Sequence, residues 1–102
     1  MSLEMKRDYN AQENRWDMVL RGEVDISNAS LLRAVLKAMF DENASSVNID
    51  FKDLSYIDST GLGVIIGAYG RMKEHGVSVK LLNPAKKVEK LLKITSLDRI
   101  FQ

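Results

Sequence analysis

A chain of 102 residues, 45% hydrophobic and 28% charged, suffices for one globular domain whose core needs no staple, and a single domain over residues 1–102 is expected. Its 15 basic and 14 acidic residues are spread along the chain and sum to +1, which leaves no concentrated field to draw in nucleic acid or an anionic membrane. The absence of cysteine and the single histidine, His75, exclude disulfides, thiol catalysis and the usual zinc ligand sets; with no apolar run near the ~20 residues that span a bilayer, a soluble, cytoplasmic protein without cofactor or metal is expected.

In chain order, residues 4–10 predict a frayed strand, 11–14 a turn, and RWDMVLR at 15–21 a strand that alternates in part. The period then changes. Leu32, Val35, Leu36 and Met39 stand at i, i+3, i+4 and i+7, predicting a helix over roughly 27–42 with Asp25 or Ser27 as its N-cap. VNIDF at 47–51 and VSVKLL at 77–82 predict strands, with a helix over about 60–74 between them. Asn83 and Pro84 read as the N-cap and first residue of a third helix whose Val88, Leu91 and Leu92 face inward, and TSLDRIF at 95–101 adds a short edge strand or turn. The order β-β-α-β-α-β-α implies parallel pairing through right-handed crossovers and an α/β fold. Loops leaving the carboxyl ends of parallel strands gather on one edge, so Asp25 and the pair Asp58-Ser59 are expected close together there.

The chemistry concentrates in YIDSTGLGVIIG, residues 56–67. A nucleophilic Ser59 needs a base, and His75 lies past the far end of the same helix, about 22 Å away at 1.5 Å per residue, so the two form no dyad. Gly61, Gly63 and Gly67 give GxGxxxG, one residue off the dinucleotide spacing, and no GxxxxGK[ST] follows; the glycines read as lying beyond the first turn, where no free N–H would meet a phosphate. Asp50 and Asp53 read as solvated residues at a strand end, since the further acidic pair of a phosphate-accepting receiver site is missing. At 100° per residue Leu62, Ile65, Ile66, Tyr69 and Met72 share the core face, and Gly63, Gly67 and Gly70 fall on a flanking stripe. Each mid-helix glycine costs ~1 kcal/mol relative to alanine. Two uses fit them: close packing inside the fold, or a smooth flank for a partner. DST itself reads as a helix cap or as a modifiable hydroxyl.

With LRGEVD at 20–25 and LSYIDSTGLGVIIG at 54–67, the sequence resembles the STAS domain family, specifically its bacterial anti-sigma factor antagonists, over nearly the whole chain. The resemblance implies a four- to five-stranded mixed sheet with helices mainly on one face. It implies a non-enzymatic switch: the unmodified protein binds an anti-sigma factor with serine kinase activity and releases sigma, phosphorylation of Ser59 turns this off, and a PP2C-type phosphatase resets it. Partner contacts are then expected at Asp25, Asp58, Ser59, Thr60, Gly61, Leu62 and Gly63, and Thr60 offers a second hydroxyl for the phosphate. Other branches of the family serve as accessory or scaffold subunits in stress signalling or membrane transport. Independently of the resemblance, a hydroxyl at a helix N-terminus is exposed to a kinase. Phosphate there adds ≈ −1.5 to −2 charge, which the helix dipole favours by ~0.3–1 kcal/mol and Asp58 opposes, so the effect should fall on the partner rather than on the fold.

Overall fold

The computed structural model describes residues 2–94, with side chains through Lys90. Strand β1 (Leu3–Asn10) and strand β2 (Arg15–Val24) form an antiparallel hairpin, Leu3 opposite Gly22 and Asn10 opposite Arg15. Its turn ends on Asn14 in the left-handed region (φ 49°), a conformation asparagine tolerates well. Both strands run further than alternation predicts, and the reason lies at Gly22. Its φ of 103° and the carbonyl of Ser2, 2.4 Å from where a Cβ would stand, demand a bare backbone.

Strand β3 (Ser46–Ile57) is longer than the expected 47–51. Val47, Ile49 and Phe51 alternate into the core, but the register against β2 then slips between Val19 and Arg21 and again between Gly22 and Glu23. Each slip inserts an extra β3 residue and re-aims the side chains, so the next buried positions are Leu54 and Ile57. Asp50 and Asp53 therefore lie inside the strand and do not end it. Asp50 accepts hydrogen bonds from the Lys52 N–H (2.9 Å) and the Asn83 side chain (3.3 Å). Strand β4 (Ser78–Leu82) completes the order β1-β2-β3-β4, with β2, β3 and β4 parallel and only the N-terminal hairpin antiparallel. The sheet is mixed, as expected.

Helix α1 (Ala29–Asp41) buries Leu32, Leu36 and Met39, and half-buries Val35. Its cap differs from the expectation. Asn28 is the N-cap residue and makes no side-chain cap bond, while the Asp25 carbonyl accepts from Asn28 and Ala29 N–H. Helix α2 (Ser59–Glu74) packs against α1, which puts both crossovers on one face of the sheet. The core lies between that face and the helices: Met18, Leu20, Ile49 and Phe51 from strands meet Leu36, Met39, Ile65 and Met72. Helix α3 (Lys86–Ile94) starts two residues later than Pro84 suggests. Asn83 adopts a left-handed φ of 53° that no N-cap uses, so the turn runs on and the Ala85 carbonyl accepts the first helical bond, from Glu89. Val88 is buried as expected. The inward side chains of Leu91 and Leu92 and the strand or turn at TSLDRIF lie outside the described residues.

Candidate functional site

Strands β2 and β3 end side by side, Val24 opposite Ile57, on the edge where α1 and α2 begin. The Asp58 N–H donates to the Val24 carbonyl (3.1 Å), prolonging the ladder by one bond. There the chain turns into α2, and Asp58, in extended backbone, caps it: Oδ1 accepts from the Gly61 N–H at 2.8 Å. The other oxygen crosses to the neighbouring loop, where Oδ2 accepts from the Ile26 N–H at 3.1 Å. One carboxylate thus joins the start of α2 to the loop after β2.

That loop is held from within as well. Asn28 Oδ1 accepts from the Asp25 N–H (3.0 Å) and Asn28 Nδ2 donates to the Glu23 carbonyl (3.0 Å). Asp25 Oδ1 accepts from the Ser27 N–H (2.9 Å) and from the Ser27 hydroxyl. The Ser27 hydroxyl holds the Asp25 carboxyl below its ordinary pKa, against a smaller opposing effect of desolvation. Because the folded value is the lower one, whatever this contact adds to stability is present above the unfolded pKa and is lost as pH falls through the folded one.

The expected residues divide by exposure. Ser59 and Thr60, the first two residues of α2, are exposed, as is Gly63, while Asp25 and Asp58 are half-buried. Gly61 and Leu62 are buried, and Gly61 faces Val24 and Ile57 at the strand ends. Gly61 lies in the first turn of α2, not beyond it, but its N–H is already taken by Asp58. The stripe of Gly63, Gly67 and Gly70 is not explained by close packing: a Cβ at Gly63 or Gly70 would meet nothing within 4 Å among the described residues, and at Gly67 only the Arg71 guanidinium at 4.0 Å. Of the two uses the sequence allows for these glycines, no packing partner stands there among the described residues, and close packing applies instead to Gly61. His75 is the C-cap of α2, at the opposite end from Ser59, with Nδ1 2.9 Å from the Arg71 carbonyl; it is no base for that serine.

Two residues of the site escape sequence reading. Asn28 was available as a turn-former next to a helix start, but its bonds to residues 23 and 25 need the folded loop. Ile26 carried a plainer signal, an aliphatic residue inside the polar turn DISNAS.

The double use of Asp58 gives a graded expectation. Asparagine retains one acceptor oxygen, enough for the cap on Gly61 but not for Ile26 as well, whereas alanine loses both. Asp58→Ala is expected to cost about 2–3 kcal/mol, ~1 for the cap and the remainder for a charged hydrogen bond, and Asp58→Asn roughly half of that. Chemical denaturation of the two variants measures this, and equal losses would refute the two-loop role.

The family model for the STAS domain matches residues 8–102. The anti-sigma-B factor antagonist of Bacillus subtilis (strain 168) is 38% identical over 93 residues, 91% of this chain and 84% of that protein. The protein of the same name from Listeria monocytogenes is 29% identical over 86 residues, covering 84% of this chain and 75% of the relative. The fold is similar to that of the anti-sigma factor antagonist SpoIIAA in its unphosphorylated form, with a TM-score of 0.82 at 22% identity over 97% of this chain and 86% of that one. It is also similar to the Bacillus cell fate determinant SpoIIAA in the phosphorylated form, with a TM-score of 0.78 at 21% identity over 97% and 89% of the two chains.

Proposed function

The chain belongs to the STAS domain family, and on that premise we propose that it is an anti-sigma factor antagonist, a cytoplasmic binding protein rather than an enzyme. Unmodified, it captures an anti-sigma factor of the serine-kinase type and so frees sigma; phosphorylated on Ser59, it lets that factor go, and a PP2C-type phosphatase restores it. The observation that carries the reading is the setting of Ser59. Ser59 is exposed on the first residue of α2, next to the capping residue Asp58 and on the same sheet edge as Asp25, and the chain's one histidine sits at the other end of the helix. A kinase can reach such a hydroxyl without unfolding anything, and the histidine that could activate it as a nucleophile lies at the far end of α2.

The partner contacts are assigned to exposed and half-exposed groups of this edge: Asp25, Asp58, Ser59, Thr60 and Gly63. Gly61 and Leu62 support that surface from beneath. Gly63, Gly67 and Gly70 continue it along α2 as a flank that a partner backbone can approach, a use that their open surroundings favour. Among the described residues no helix is long and apolar enough to cross a membrane. The relatives named as anti-sigma-B factor antagonists and the two phosphorylation states in which SpoIIAA is known support the reading.

The test is to mix the purified chain with ATP and the kinase-type anti-sigma factor of its own genome. A stable complex in the absence of ATP, and a single phosphate mapped to Ser59 by mass spectrometry in its presence, are expected. Phosphate on Thr60 would move the switch by one residue. No complex at all, or recovery of transporter subunits from a lysate instead, would overturn the assignment.

A further inference from the structure

Among the described residues the large apolar side chains left open to solvent are Tyr9, Ile26, Leu31 and Tyr56. The two aliphatic ones stand in the loop after β2 and the first turn of α1, on the edge that carries Ser59, and Ile26 is 78% exposed and Leu31 54%. A single exposed apolar residue is ordinary on any protein surface. Ile26 is set apart by how it is held. The backbone N–H groups of Asp25, Ile26 and Ser27 all donate to side-chain oxygens, those of Asn28, Asp58 and Asp25 respectively. A loop with three successive amides bonded in this way has little freedom left to lose on binding, and pre-ordered apolar anchors carry much of the affinity in protein interfaces.

We propose that Ile26, supported by Leu31, is the apolar anchor by which this chain binds its anti-sigma factor, seating in an apolar pocket of that partner next to the contact made by Ser59. This rests on the antagonist reading and adds to it the chemistry of the partner's surface. The occupant follows from continuity: Asp58 bonds the Ile26 amide with one oxygen and caps the helix that begins at Ser59 with the other, so a partner covering Ser59 also meets Ile26. The arrangement accounts for the reach of a single phosphate. Seating Ile26 strips water from its surroundings, and a dianion on Ser59 resists that desolvation.

The experiment is calorimetric titration of the genome's own kinase-type anti-sigma factor with wild type, Ile26→Ala, Ile26→Asp, Leu31→Ser, Ser59→Asp and Tyr9→Ser. Tyr9 is a matched exposed control, 49% open and opposite Trp16, about 26 Å along β2 from Val24 at 3.3 Å per residue. Ile26→Ala is expected to weaken binding by about tenfold or more and Ile26→Asp by about a hundredfold or more, with Tyr9→Ser within about twofold of wild type. The heat capacity change of binding should also be less negative for Ile26→Ala, the mark of lost apolar burial. Amide spectra confirm the fold of each variant, and the exposed position of Ile26 makes retention expected. Near-wild-type affinity of Ile26→Asp and Leu31→Ser, with Ser59→Asp strongly impaired, would overturn the anchor and leave the antagonist reading standing. Failure of wild type itself to bind would overturn both.

Discussion

Alanine at Gly61 is expected to lower the melting temperature by on the order of 10 °C, while alanine at Gly63, two residues along the same helix, should raise it by a few degrees. The two glycines share a helix and a motif but not an environment. A Cβ at Gly61 would stand 2.5 Å from Val24 Cγ1 and 2.9 Å from Ile57 Cγ1, whereas at Gly63 it would meet nothing within 4 Å among the described residues. Val24 and Ile57 are buried, β-branched and fixed at the paired ends of β2 and β3, so neither can rotate out of the way. Overpacking of this kind costs up to ~3 kcal/mol, the better helix propensity of alanine returns ~1, and a net loss of about 2 kcal/mol remains. At Gly63 only the propensity gain operates. Thermal melts of the two variants decide the matter, and a double variant sharpens it. Trimming Val24 to alanine removes the methyl closest to the new Cβ, so Gly61→Ala should cost less in the Val24→Ala background than in wild type. If Gly61→Ala melts with or above wild type, the start of α2 does not rest on the strand ends as described.

That contrast marks a limit of what the sequence could say. Gly61, Gly63, Gly67 and Gly70 look alike in a string, and their destabilising cost argues only that something requires bare backbone; which one faces the strands depends on the phase of α2, set by the Asp58 cap. Helices α1 and α2 themselves were legible, because Leu32, Leu36 and Met39, and likewise Leu62, Ile65 and Met72, repeat at helical spacing against a polar background. Strand β3 was legible only as far as Phe51. Past that point the bulges opposite Val19–Arg21 and Gly22–Glu23 break the period of two, and Asp53 then reads as loop chemistry although it pairs with Arg21 in the ladder. At the site, the cap on Gly61 was readable from DST ahead of an apolar run. The second bond of Asp58 was not, because its donor, Ile26, is 32 positions away and only the parallel pairing of β2 with β3 brings the two loops together.

Phosphorylation of Ser59 is expected to weaken binding to the anti-sigma factor by about two orders of magnitude or more and to leave the fold of this chain unchanged. The asymmetry follows from where the charge lands. Within α2 the new dianion meets the first-turn N–H groups of Ser59 and Thr60, which have no carbonyl inside the helix to bond, and the positive end of the dipole, a gain of ~0.3–1 kcal/mol. Asp58 opposes it, but that carboxylate already accepts from Gly61 and Ile26, so its charge is partly answered. Inside the chain these effects nearly cancel. Across an interface they do not: a charge pressed against surfaces shaped for a neutral hydroxyl is left poorly paired, at a cost of about 2–5 kcal/mol, and each 1.4 kcal/mol is tenfold in affinity. Ser59→Ala should therefore bind constitutively and resist the kinase, and Ser59→Asp, with less charge than phosphate, should fall between the unmodified and phosphorylated forms. Calorimetry on phosphorylated and unmodified protein measures the affinity, and amide NMR shifts the fold. Equal affinities would remove Ser59 as the switch, and shifts spread along α2 to its far end at His75 would replace an interface mechanism with a conformational one.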